Sequence, residues 1–444
     1  MSGQDFNMPG ARDVNPKIVL STPAINPFAQ QVGRAFFEAE MLARLATSFV
    51  DRPEVRWRKT LCRLAGYARI NLERQLRRRS ITEVPLSLVA DYPLREAIRV
   101  GVGRLGVDKR LLDVVFHWGN DGFDKWVANQ MLGGSRAVYG YEYACLATFQ
   151  SASQKGMARI YDVPAPEHDF VHAILDKEVE GYPELHTPYQ KYIKARHAAR
   201  TERRRKEWQL ADLVIANSEF TKASYASSGL DVSKVRVVPY GAPPVSHEGL
   251  DGGGSENEPL RFLWAGTFSV RKGAHHLLEA WRQLRADRHA RLDVFGAMQL
   301  PDSLREGVSD SITFSGTVPH AELYALYRRA DVLVFPTLCD GFGLVVTEAF
   351  SQGLPVITTN RAGAADLVRH GVNGLIVPAG DVEALREALD WCLTHRKEVR
   401  AMRQAALDAA AGWQWADYRR ALVDNVVTGL SAAGSQACQS VKSA

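Results

Sequence analysis

The sequence predicts an α/β protein built from two Rossmann-like, doubly wound domains. Its 444 residues are enough for two or three domains with sizeable cores. Short apolar and β-branched segments alternate with helical segments through both halves of the chain, which is typical of βαβ units around a parallel sheet. Residues 330–359 contain one such unit with a glycine loop at its centre.

The stretch 330–359 is the clearest βαβ unit of the chain. Residues 330–336 (Ala-Asp-Val-Leu-Val-Phe-Pro) predict a buried parallel strand. A loop with two glycines follows, then a helix-forming segment that ends at residues 353–355, and residues 355–359 predict the next strand. Glycines let the backbone approach a ligand closely, and a new helix directs unpaired N–H groups towards it. This place suits a phosphate group.

Two carboxylates make the stretch more specific. Asp340 lies in the loop before the helix, and Glu348 lies within the helix. Carboxylates repel phosphate but accept hydrogen bonds from hydroxyl groups, so ribose and hexose are suitable partners at the two ends of a nucleotide sugar. The alternative is that Asp340 only caps the helix and Glu348 is a solvated helical position.

The pattern from Asp340-Gly-Phe-Gly-Leu through Glu348 to Gly353-Leu-Pro-Val resembles the signature of retaining, GT-B-fold glycosyltransferases of family 4. That family usually has two glutamates with seven residues between them, and Asp340 stands in place of the first. The resemblance implies that Asp340 contacts the donor sugar and Glu348 the ribose hydroxyls. It also assigns the loop residues to donor binding: Gly341, Phe342, Gly343 and Leu344.

Composition indicates an ordinary soluble globular protein, with 46% hydrophobic and 24% charged residues and a formal net charge of +5. We expect no membrane-spanning helix, because no apolar run reaches about eighteen residues. The polar segment 1–16 lacks the apolar core of a signal peptide. Five scattered cysteines argue against a disulfide framework or a metal cluster. A cytoplasmic location follows as an expectation.

The first domain is predicted over residues 17–245. Residues 17–21 predict its first strand, and residues 31–47 a helix. In the family, a glycine-rich turn in this region approaches the donor phosphate and the acceptor. Gly33 is the candidate for that role, although Arg34 stands where a second glycine is common, and a lone glycine can also be only a turn.

Two segments of this domain are strongly basic. Residues 52–79 contain ten arginines or lysines and two acids, with apolar residues at helical spacing from Trp57 to Leu76. Such a helix can lie on an anionic membrane surface, or its apolar stripe can pack on the domain with the charges solvated. Nucleic acid is not expected, because no recognisable binding motif accompanies the charge. Residues 191–208 present the same alternatives.

Three polar residues are candidates for contact with the acceptor or the reacting sugar. Residues 111–116 predict a strand that ends at His117, and ligands collect beyond the carboxyl ends of parallel strands. The family usually has a histidine near this point. Residues 158–164 predict another strand that ends at a polar turn. Many members of the family have a histidine at the position of Asp162, so the resemblance makes Asp162 and the nearby His168 acceptor-side candidates. For His117 a purely structural role is the alternative.

The second domain is predicted over residues 260–412, after a linker at 246–259 that is rich in glycine and acid. Its first strand leads into Gly266 and then Arg271-Lys272-Gly273. The resemblance assigns Gly266 to donor binding and Lys272 to the donor diphosphate. Thr267 stands where the family often has an arginine, and Arg271 can supply the second positive charge. Preplaced cations stabilise the charge on a leaving diphosphate without a metal. The alternative is two solvated loop cations.

The remaining segments complete the prediction. Residues 211–221 predict a strand followed by a helix that Ser218 caps. Residues 292–296, 312–319 and 374–378 predict strands, and the family holds the nucleobase through backbone groups near Thr317 and Val318. Residues 413–430 are expected to return as a helix to the first domain, and residues 431–444 to be a disordered tail.

The predicted function is transfer of a hexose, with retention, from a nucleotide diphosphate sugar to a hydroxyl of a glycan or glycolipid in cell-surface polysaccharide or lipopolysaccharide assembly. The catalytic candidates are Asp340, Lys272, Arg271 and His117, and no metal or other cofactor is expected. The alternatives are a sugar-nucleotide epimerase, a glycan phosphorylase (although no pyridoxal-binding lysine context is found), or a catalytically silent nucleotide-sugar-binding protein.

Overall fold

The computed structural model describes residues 16–55, 58, 72–77, 79–185, 188–248, 258–284 and 289–442. The chain forms two compact units. One comprises Met1–Ile160, Leu210–Asp212 and Val426–Ala444, and the other Tyr161–Gln209 and Leu213–Asn425.

The strands from the first half of the chain form a seven-stranded sheet in the order β3-β2-β1-β4-β5-β6-β7. Its strands are β1 (Ile18–Ser21), β2 (Leu42–Thr47), β3 (Val89–Asp91), β4 (Ala137–Tyr141), β5 (Ala158–Val163), β6 (Leu213–Ala216) and β7 (Val235–Val237). β1 pairs in parallel with both β2 and β4, so the direction of winding reverses between β1 and β4. A doubly wound sheet binds ligands at such a switch point.

Eight α-helices accompany these strands in the described residues. They are α1 (Pro27–Glu38), α2 (Leu72–Arg77), α3 (Pro93–Arg104), α4 (Lys109–Gln130), α5 (Leu146–Gln154), α6 (His168–Gly181), α7 (Pro188–Leu210) and α8 (Glu219–Ser227).

Helix α1 corrects the prediction of one helix over residues 31–47. The helix begins earlier, at Pro27, where Asn26 caps it by accepting a hydrogen bond from the Ala29 amide at 2.8 Å. It ends at Glu38, and Glu40 has a φ of +56°. Residues 42–47 are instead the second strand, because pairing with β1 overrides their helix-forming composition.

Helix α4 corrects the prediction of a strand over residues 111–116. Asp108 caps this helix, accepting from the Arg110 amide at 2.6 Å, and the helix runs on to Gln130. Leu111, Val114 and Phe116 are 43–47% exposed, which a buried parallel strand would not allow. A short apolar run is compatible with either structure, and here the flanking helical residues decide.

The second half of the chain forms a six-stranded sheet in the order β10-β9-β8-β11-β12-β13. The strands are β8 (Leu260–Ala265), β9 (Ala290–Phe295), β10 (Ile312–Gly316), β11 (Val332–Phe335), β12 (Val356–Thr359) and β13 (Gly374–Val377), and the helices are α9 (Ala274–Leu284), α10 (His320–Arg329), α11 (Leu344–Ser351), α12 (Val382–Thr394), α13 (Arg396–Gly412) and α14 (Trp415–Lys442). Every pairing is parallel, and the sheet reverses between β8 and β11. Both sheets are therefore Rossmann-like, as predicted.

The core of this second sheet lies under its helices. Phe262 and Trp264 of β8 and Val332 and Val334 of β11 are all at most 2% exposed and belong to one apolar cluster with α9 and α12. Strands buried on both faces need such continuous apolar runs. The carboxyl ends of β8 and β11 are thereby held side by side.

The start of the last helix docks on the end of the first half of the chain. Trp413 donates its indole N–H to the Pro239 carbonyl at 2.9 Å, and Ala242 donates its amide to the Trp413 carbonyl at 2.9 Å. A Cβ on Gly241 would lie 2.4 Å from the Gln414 backbone, so only glycine fits there.

Helix α14 differs from the prediction at its far end. The segment 431–442, expected to be a disordered tail, continues α14 to Lys442. Its small and polar residues include no proline, so nothing in the composition forces the helix to stop.

Two predictions fall on residues that the structure does not describe. The apolar stripe of the basic segment 52–79 lies largely outside the described residues. Within the described part of this segment, Leu76 of helix α2 is buried. Most of the linker 246–259 is also outside them. No helix in the described part of the chain has the length and apolar character needed to cross a bilayer.

Candidate functional site

The loop between β11 and α11 can be formed only with glycine at two positions. Gly343 has a φ of +92°, and a Cβ there would lie 2.6 Å from the Phe335 ring. A Cβ on Gly341 would lie 2.3 Å from the Pro164 carbonyl oxygen. No side chain caps the start of α11. The first amides of this helix therefore point out of a loop whose backbone can approach a ligand closely.

The carbonyl group of Gly341 is anchored by another helix. Ser218 donates its hydroxyl to this oxygen at 2.6 Å, and Thr221 does so at 3.2 Å. Ser218 also caps α8, as predicted, by accepting from the Thr221 amide at 3.0 Å. A Cβ on Gly363 would lie 1.9 Å from the same carbonyl oxygen. The loop is thus held on both sides before any ligand arrives.

Asp340 forms an ion-pair cluster with both predicted cations. Its Oδ2 lies 3.4 Å from Arg271 Nη1 and 3.4 Å from Lys272 Nζ. Burial alone would raise the pKa of Asp340, but Lys272 and Arg271 outweigh it and hold that pKa below its usual value. One carboxylate between two cations leaves the cluster with one net positive charge.

The topology of the sheet explains why these residues meet. Arg271 and Lys272 follow β8, Asp340 follows β11, and β8 and β11 are the neighbours at the switch point. Gly273, with a φ of +75°, ends the short 3-10 helix Val270–Lys272, and a Cβ there would lie 2.0 Å from the Pro336 carbonyl oxygen. This close approach of the two loops requires glycine.

Lys272 is also restrained by an aromatic ring. Its Nζ lies 4.9 Å from the centroid of the Phe335 ring, and its side chain is 16% exposed. Arg271 donates from Nη1 to the Cys339 carbonyl at 2.8 Å, and its side chain is 40% exposed. Lys272 is therefore the better fixed of the two cations, and Arg271 the more accessible.

Glu348 lies on α11, where two residues of α10 hold its carboxylate. Tyr327 donates its hydroxyl to Oε2 at 3.0 Å, and the Nε2 of His320 lies 2.9 Å from Oε1. Hydrogen bonding to Glu348 raises the pKa of His320. Tyr327 is buried whereas the His320 side chain is 59% exposed, so one oxygen is held from inside the protein and the other from its surface. The carboxylate keeps acceptor capacity for ligand hydroxyls.

The three strands on the other side of the switch point end in glycines with positive φ. These are Gly266 (+111°), Gly296 (+152°) and Gly316 (+70°). A Cβ on Gly296 would lie 1.8 Å from the Gly266 carbonyl oxygen, and one on Gly266 would lie 3.8 Å from Lys272 Nζ. Thr317 is exposed and Val318 half-buried just beyond the last strand. The assignment of their backbone groups to the nucleobase stays a prediction.

Phe342 and Leu344 complete the loop. Phe342 is 3% exposed, and its ring makes an edge contact with Tyr240 at a centroid distance of 5.2 Å. Leu344 is the half-buried first residue of α11. Phe342 therefore anchors the loop through its side chain, and any contact with a donor falls to its backbone.

Gly33 does not lie in a turn, so that part of the prediction is wrong. It is inside α1, buried, and a Cβ would lie 3.1 Å from Val84 Cγ2 and 3.2 Å from Leu45 Cδ1. The glycine lets the helix pack closely on its neighbours. Its assignment to donor binding stays a prediction.

His117 lies on a helix and not at a strand end, which corrects the argument used to select it. Its Nδ1 lies 3.0 Å from the Tyr143 hydroxyl, and its Nε2 lies 3.4 Å from Asp113 Oδ1. Tyr143, with a φ of +70°, belongs to the loop after β4. The helix thus brings His117 beside the switch point of the first sheet, and its catalytic role stays a prediction.

Asp162 and His168 are separated by burial. Asp162, in β5, is 2% exposed, and its charge contributes to raising the pKa of Tyr240 and Tyr418, after burial itself. His168 is the half-buried first residue of α6, and its Nδ1 lies 2.7 Å from Thr201 Oγ1. Of these two acceptor-side candidates, His168 is the more accessible.

Several residues that shape the site were not found from the sequence. Tyr327 and His320 hold Glu348, Ser218 was expected only as a cap, and Gly363 packs on the loop. The contact between Ser218 and Gly341 spans 123 residues of chain. A glycine with positive φ gives a weak signal in the local sequence, whereas a contact partner so far away along the chain gives no signal there.

The two Rossmann-like sheets define the GT-B class of fold. Sucrose-phosphate synthase from Thermosynechococcus elongatus superposes with a TM-score of 0.64 over 94% of this chain and 100% of that chain, at 16% identity. The Anabaena protein HepE, solved in complex with UDP-glucose, superposes with a TM-score of 0.57 over 93% of this chain and 100% of that chain, at 15% identity. These likenesses establish the fold.

Sequence comparison points to the same class for the second half of the chain. Residues 259–395 match the family model "Glycosyl transferases group 1". A D-inositol 3-phosphate glycosyltransferase from Nocardia farcinica is 30% identical over 241 residues, which cover 50% of this chain and 53% of that protein. The matched segment thus spans about half the length of this curated relative. The similarity to this family thus lies in residues 259–395.

Proposed function

We propose that this protein transfers a hexose from a nucleotide diphosphate sugar to a hydroxyl group of a glycan or glycolipid, with retention at the anomeric carbon. The observation that carries the proposal is the cluster of Asp340, Arg271 and Lys272 between β8 and β11. Its net positive charge lies at the switch point of a doubly wound sheet, where ligands bind. A diphosphate matches this charge, and a sugar hydroxyl matches the carboxylate.

Each residue has a distinct role in the proposed reaction. The diphosphate gains negative charge as the glycosidic bond breaks, and Arg271 and Lys272 stabilise that charge. Asp340 orients the donor sugar, and Glu348 accepts hydrogen bonds from the ribose hydroxyls. The leaving phosphate oxygen takes the proton of the acceptor hydroxyl, so neither a dedicated base nor a metal is required. His117 is a catalytic candidate close to the reacting sugar, and Asp162 and His168 are the acceptor-side candidates.

Asp340 has a second consequence for donor binding. Because it pairs with both cations, an incoming diphosphate competes with its carboxylate for them. The carboxylate then becomes available to the sugar at the moment the phosphates are bound. This exchange couples the recognition of the two halves of the donor.

The comparisons support the class of donor. HepE was solved with UDP-glucose, and the curated relative from Nocardia farcinica is a glycosyltransferase. We propose UDP sugars as the first donors to test. Assembly of cell-surface polysaccharide or lipopolysaccharide is the proposed setting, on the strength of the sequence resemblance.

A panel of nucleotides tests the proposal before an acceptor is known. UDP, GDP, ADP and dTDP, each with its sugar nucleotides, are added to the protein in thermal unfolding experiments. We expect one base series to raise the Tm, since a ligand at a hundred times its Kd stabilises the native state by about 2.7 kcal/mol. Lys272→Ala should remove most of that shift. A panel in which no nucleotide changes the Tm would contradict the proposal.

Asp340 in place of the commoner glutamate motivates one other function, a silent nucleotide-sugar-binding protein. Such a protein would show the Tm shift without turnover on cellular acceptors. An epimerase would instead convert the donor when no acceptor is present. Incubation with donor alone, followed by donor with a membrane extract, separates these outcomes from glycosyl transfer.

We further propose that the protein visits an anionic membrane surface through residues 52–79, with their ten basic and two acidic residues. Binding to vesicles should require anionic lipid and weaken with salt, because the attraction falls off within about 10 Å at 0.1 M ionic strength. Flotation with neutral and anionic vesicles measures this, and a variant with Arg63, Arg69, Arg74 and Arg78 changed to glutamine should lose it. Equal recovery with both lipids, or none at low salt, would refute the proposal.

Helix α7 is a weaker candidate for the same role. Several of its charges are already paired with carboxylates: Lys194 with Asp176 at 3.1 Å, Arg205 with Asp169 at 2.6 Å, and Lys206 with Glu202 at 3.1 Å. These contacts favour a solvated helix attached to its neighbour over a membrane contact.

A further inference from the structure

We propose that His168, His172 and His197 bind one divalent transition-metal ion, with zinc as the ion to test. One ring nitrogen from each histidine lies within 4.8 Å of the others. The site joins α6 to α7 and is separate from the Asp340 cluster. It departs from the sequence-based expectation of no metal, and it replaces the acceptor-side role of His168, because both ring nitrogens of that residue are then used. It does not depend on the proposed transfer reaction.

The backbone places the three rings together. His168 and His172 are one turn apart on α6, so they share a face of that helix, and α7 brings His197 against them. The ring centroids are 4.6 Å apart for His168–His172 and for His168–His197, and 4.1 Å apart for His172–His197. Zinc–nitrogen bonds of about 2.0–2.1 Å place tetrahedral ligands about 3.3 Å apart. The three nitrogens must therefore move closer together when a metal ion binds.

A hydrogen-bond network determines which ring nitrogens carry protons. Asp169 Oδ1 accepts from His197 Nε2 at 2.7 Å and from the Thr201 hydroxyl at 2.7 Å. Because that hydroxyl has donated its hydrogen, its oxygen accepts from His168 Nδ1 at 2.7 Å. The lone pairs left on the two rings are therefore those of His197 Nδ1 and His168 Nε2, which we assign as metal ligands.

His197 Nδ1 is the second observation that points to a ligand. This nitrogen is buried and has no hydrogen-bond partner among the described residues. A buried acceptor without a partner destabilises the folded state unless something satisfies it. A metal ion would do so, and histidine ligands commonly donate their other N–H to a carboxylate, as His197 does to Asp169.

Some of the charged groups around the three histidines oppose a bound cation, and others favour one. Burial, aided by Arg204, lowers the pKa of His168 to about 3, and burial also lowers that of His172. The shifts favour the neutral form of the His168 and His172 rings, which is the form that binds a metal. Arg204 itself opposes a cation, whereas Asp169 and Asp176 favour one. Removing the charge of Arg204 should therefore strengthen metal binding, whereas removing a ligand should weaken it.

A second cluster provides the comparison. The Nε2 atoms of His275 and His276 lie 2.8 and 3.0 Å from one oxygen of Glu178. Both imidazoles can donate an N–H from Nε2 to that carboxylate, which directs their Nδ1 lone pairs away from it. These two Nδ1 atoms are buried and, like His197 Nδ1, have no hydrogen-bond partner among the described residues. Because the two Nε2 atoms already share the carboxylate, we assign no metal to this cluster, and its histidines serve as matched controls.

The position of the site suggests what the metal does. Residues 191–208 of α7 hold eight basic residues, so apolar burial alone fixes this helix weakly. A metal ion bound by residues of both helices would hold α7 against α6. Helix α6 follows the loop with Pro164, whose carbonyl oxygen contacts Gly341 in the donor loop. The metal is thus proposed to be structural and to support the back of that loop.

The test uses the full chain with its affinity tag removed, stripped with EDTA and then titrated with Zn²⁺. We expect one zinc per chain by elemental analysis, a raised Tm, and tetrahedral d–d absorption when Co²⁺ replaces zinc. His172→Ala and His197→Ala should lose saturable binding. Asp169→Asn should weaken it about 10–100-fold. Arg204→Gln should tighten it roughly three- to tenfold, a gain that misfolding cannot produce.

His275→Ala and His247→Ala are the controls, the first in the comparison cluster and the second an exposed histidine. Both should keep one zinc per chain. Circular dichroism checks that each variant folds, and the Co²⁺ spectrum of the unmodified protein does not depend on any variant. Zinc content far below one per chain after loading, unchanged binding in His172→Ala, or loss of binding in His275→Ala would overturn the proposal.

Discussion

Replacing Lys272 by alanine is expected to lower the rate of glycosyl transfer by about a hundredfold or more while the protein stays folded. Lys272 Nζ lies 3.4 Å from Asp340 and is held over the Phe335 ring, so its charge is placed before the donor binds. A charge that need not reorganise stabilises the leaving diphosphate most as the bond breaks.

The structure limits how much of this effect can come from unfolding. Asp340 keeps Arg271 as an ion-pair partner when Lys272 is removed, so its carboxylate is not left without a cation. The measurement is the rate with saturating donor, alongside the Tm. Lys397→Ala, an exposed lysine on α13, is the matched control and should retain full activity. If Lys272→Ala retains half of the wild-type rate or more, the assignment of Lys272 to the donor diphosphate is wrong.

Glu348→Ala should weaken donor binding by roughly 1.5–3 kcal/mol, the range for hydrogen bonds to a charged group, which is about ten- to 150-fold in Kd. The physical reason is that the two ribose hydroxyls lose their shared acceptor. Calorimetry with the nucleotide identified by the thermal panel gives the Kd values. His320→Ala is the milder comparison, because Tyr327 still holds the carboxylate in that variant.

A 2′-deoxyribose donor separates the ribose contact from any loss of stability. In wild type, removing the 2′-hydroxyl should weaken binding, whereas in Glu348→Ala it should weaken binding much less. Tyr327 is buried and its hydroxyl loses the Glu348 carboxylate as its hydrogen-bond acceptor in this variant, so some fall in Tm is expected as well. That fall affects both donors equally and cancels in the comparison. Equal losses of donor affinity in the two proteins would show that Glu348 does not bind the ribose hydroxyls.

The sequence by itself predicted the elements whose signals are local. The apolar runs at 260–265 and 332–335, the glycines around Asp340 and the Ser218 cap are all where their residue types predicted. Backbone conformation at a glycine, a cap or a fully buried strand depends on a few neighbouring residues. The donor loop could therefore be found from a window of some thirty residues.

The sequence failed where two structures suit the same short segment. Residues 42–47 have helical composition but pair with β1, and residues 111–116 have strand composition but lie within α4. Local propensities differ by less than the energy of a sheet ladder or of an extended helix, so the neighbours decide. His117 was chosen for a strand end, whereas contact with Tyr143 places it near the switch point of the first sheet.

Only the tertiary structure decided which side chains meet. Arg271 and Asp340 are 69 residues apart in the chain, and the pairing of β8 with β11 brings their loops together. His168 and His172 share a face of α6, and His197 joins them only because α7 packs on α6. Contacts between distant segments depend on the order of strands and the packing of helices. No local pattern encodes that order, because it is set by the burial of the whole apolar core.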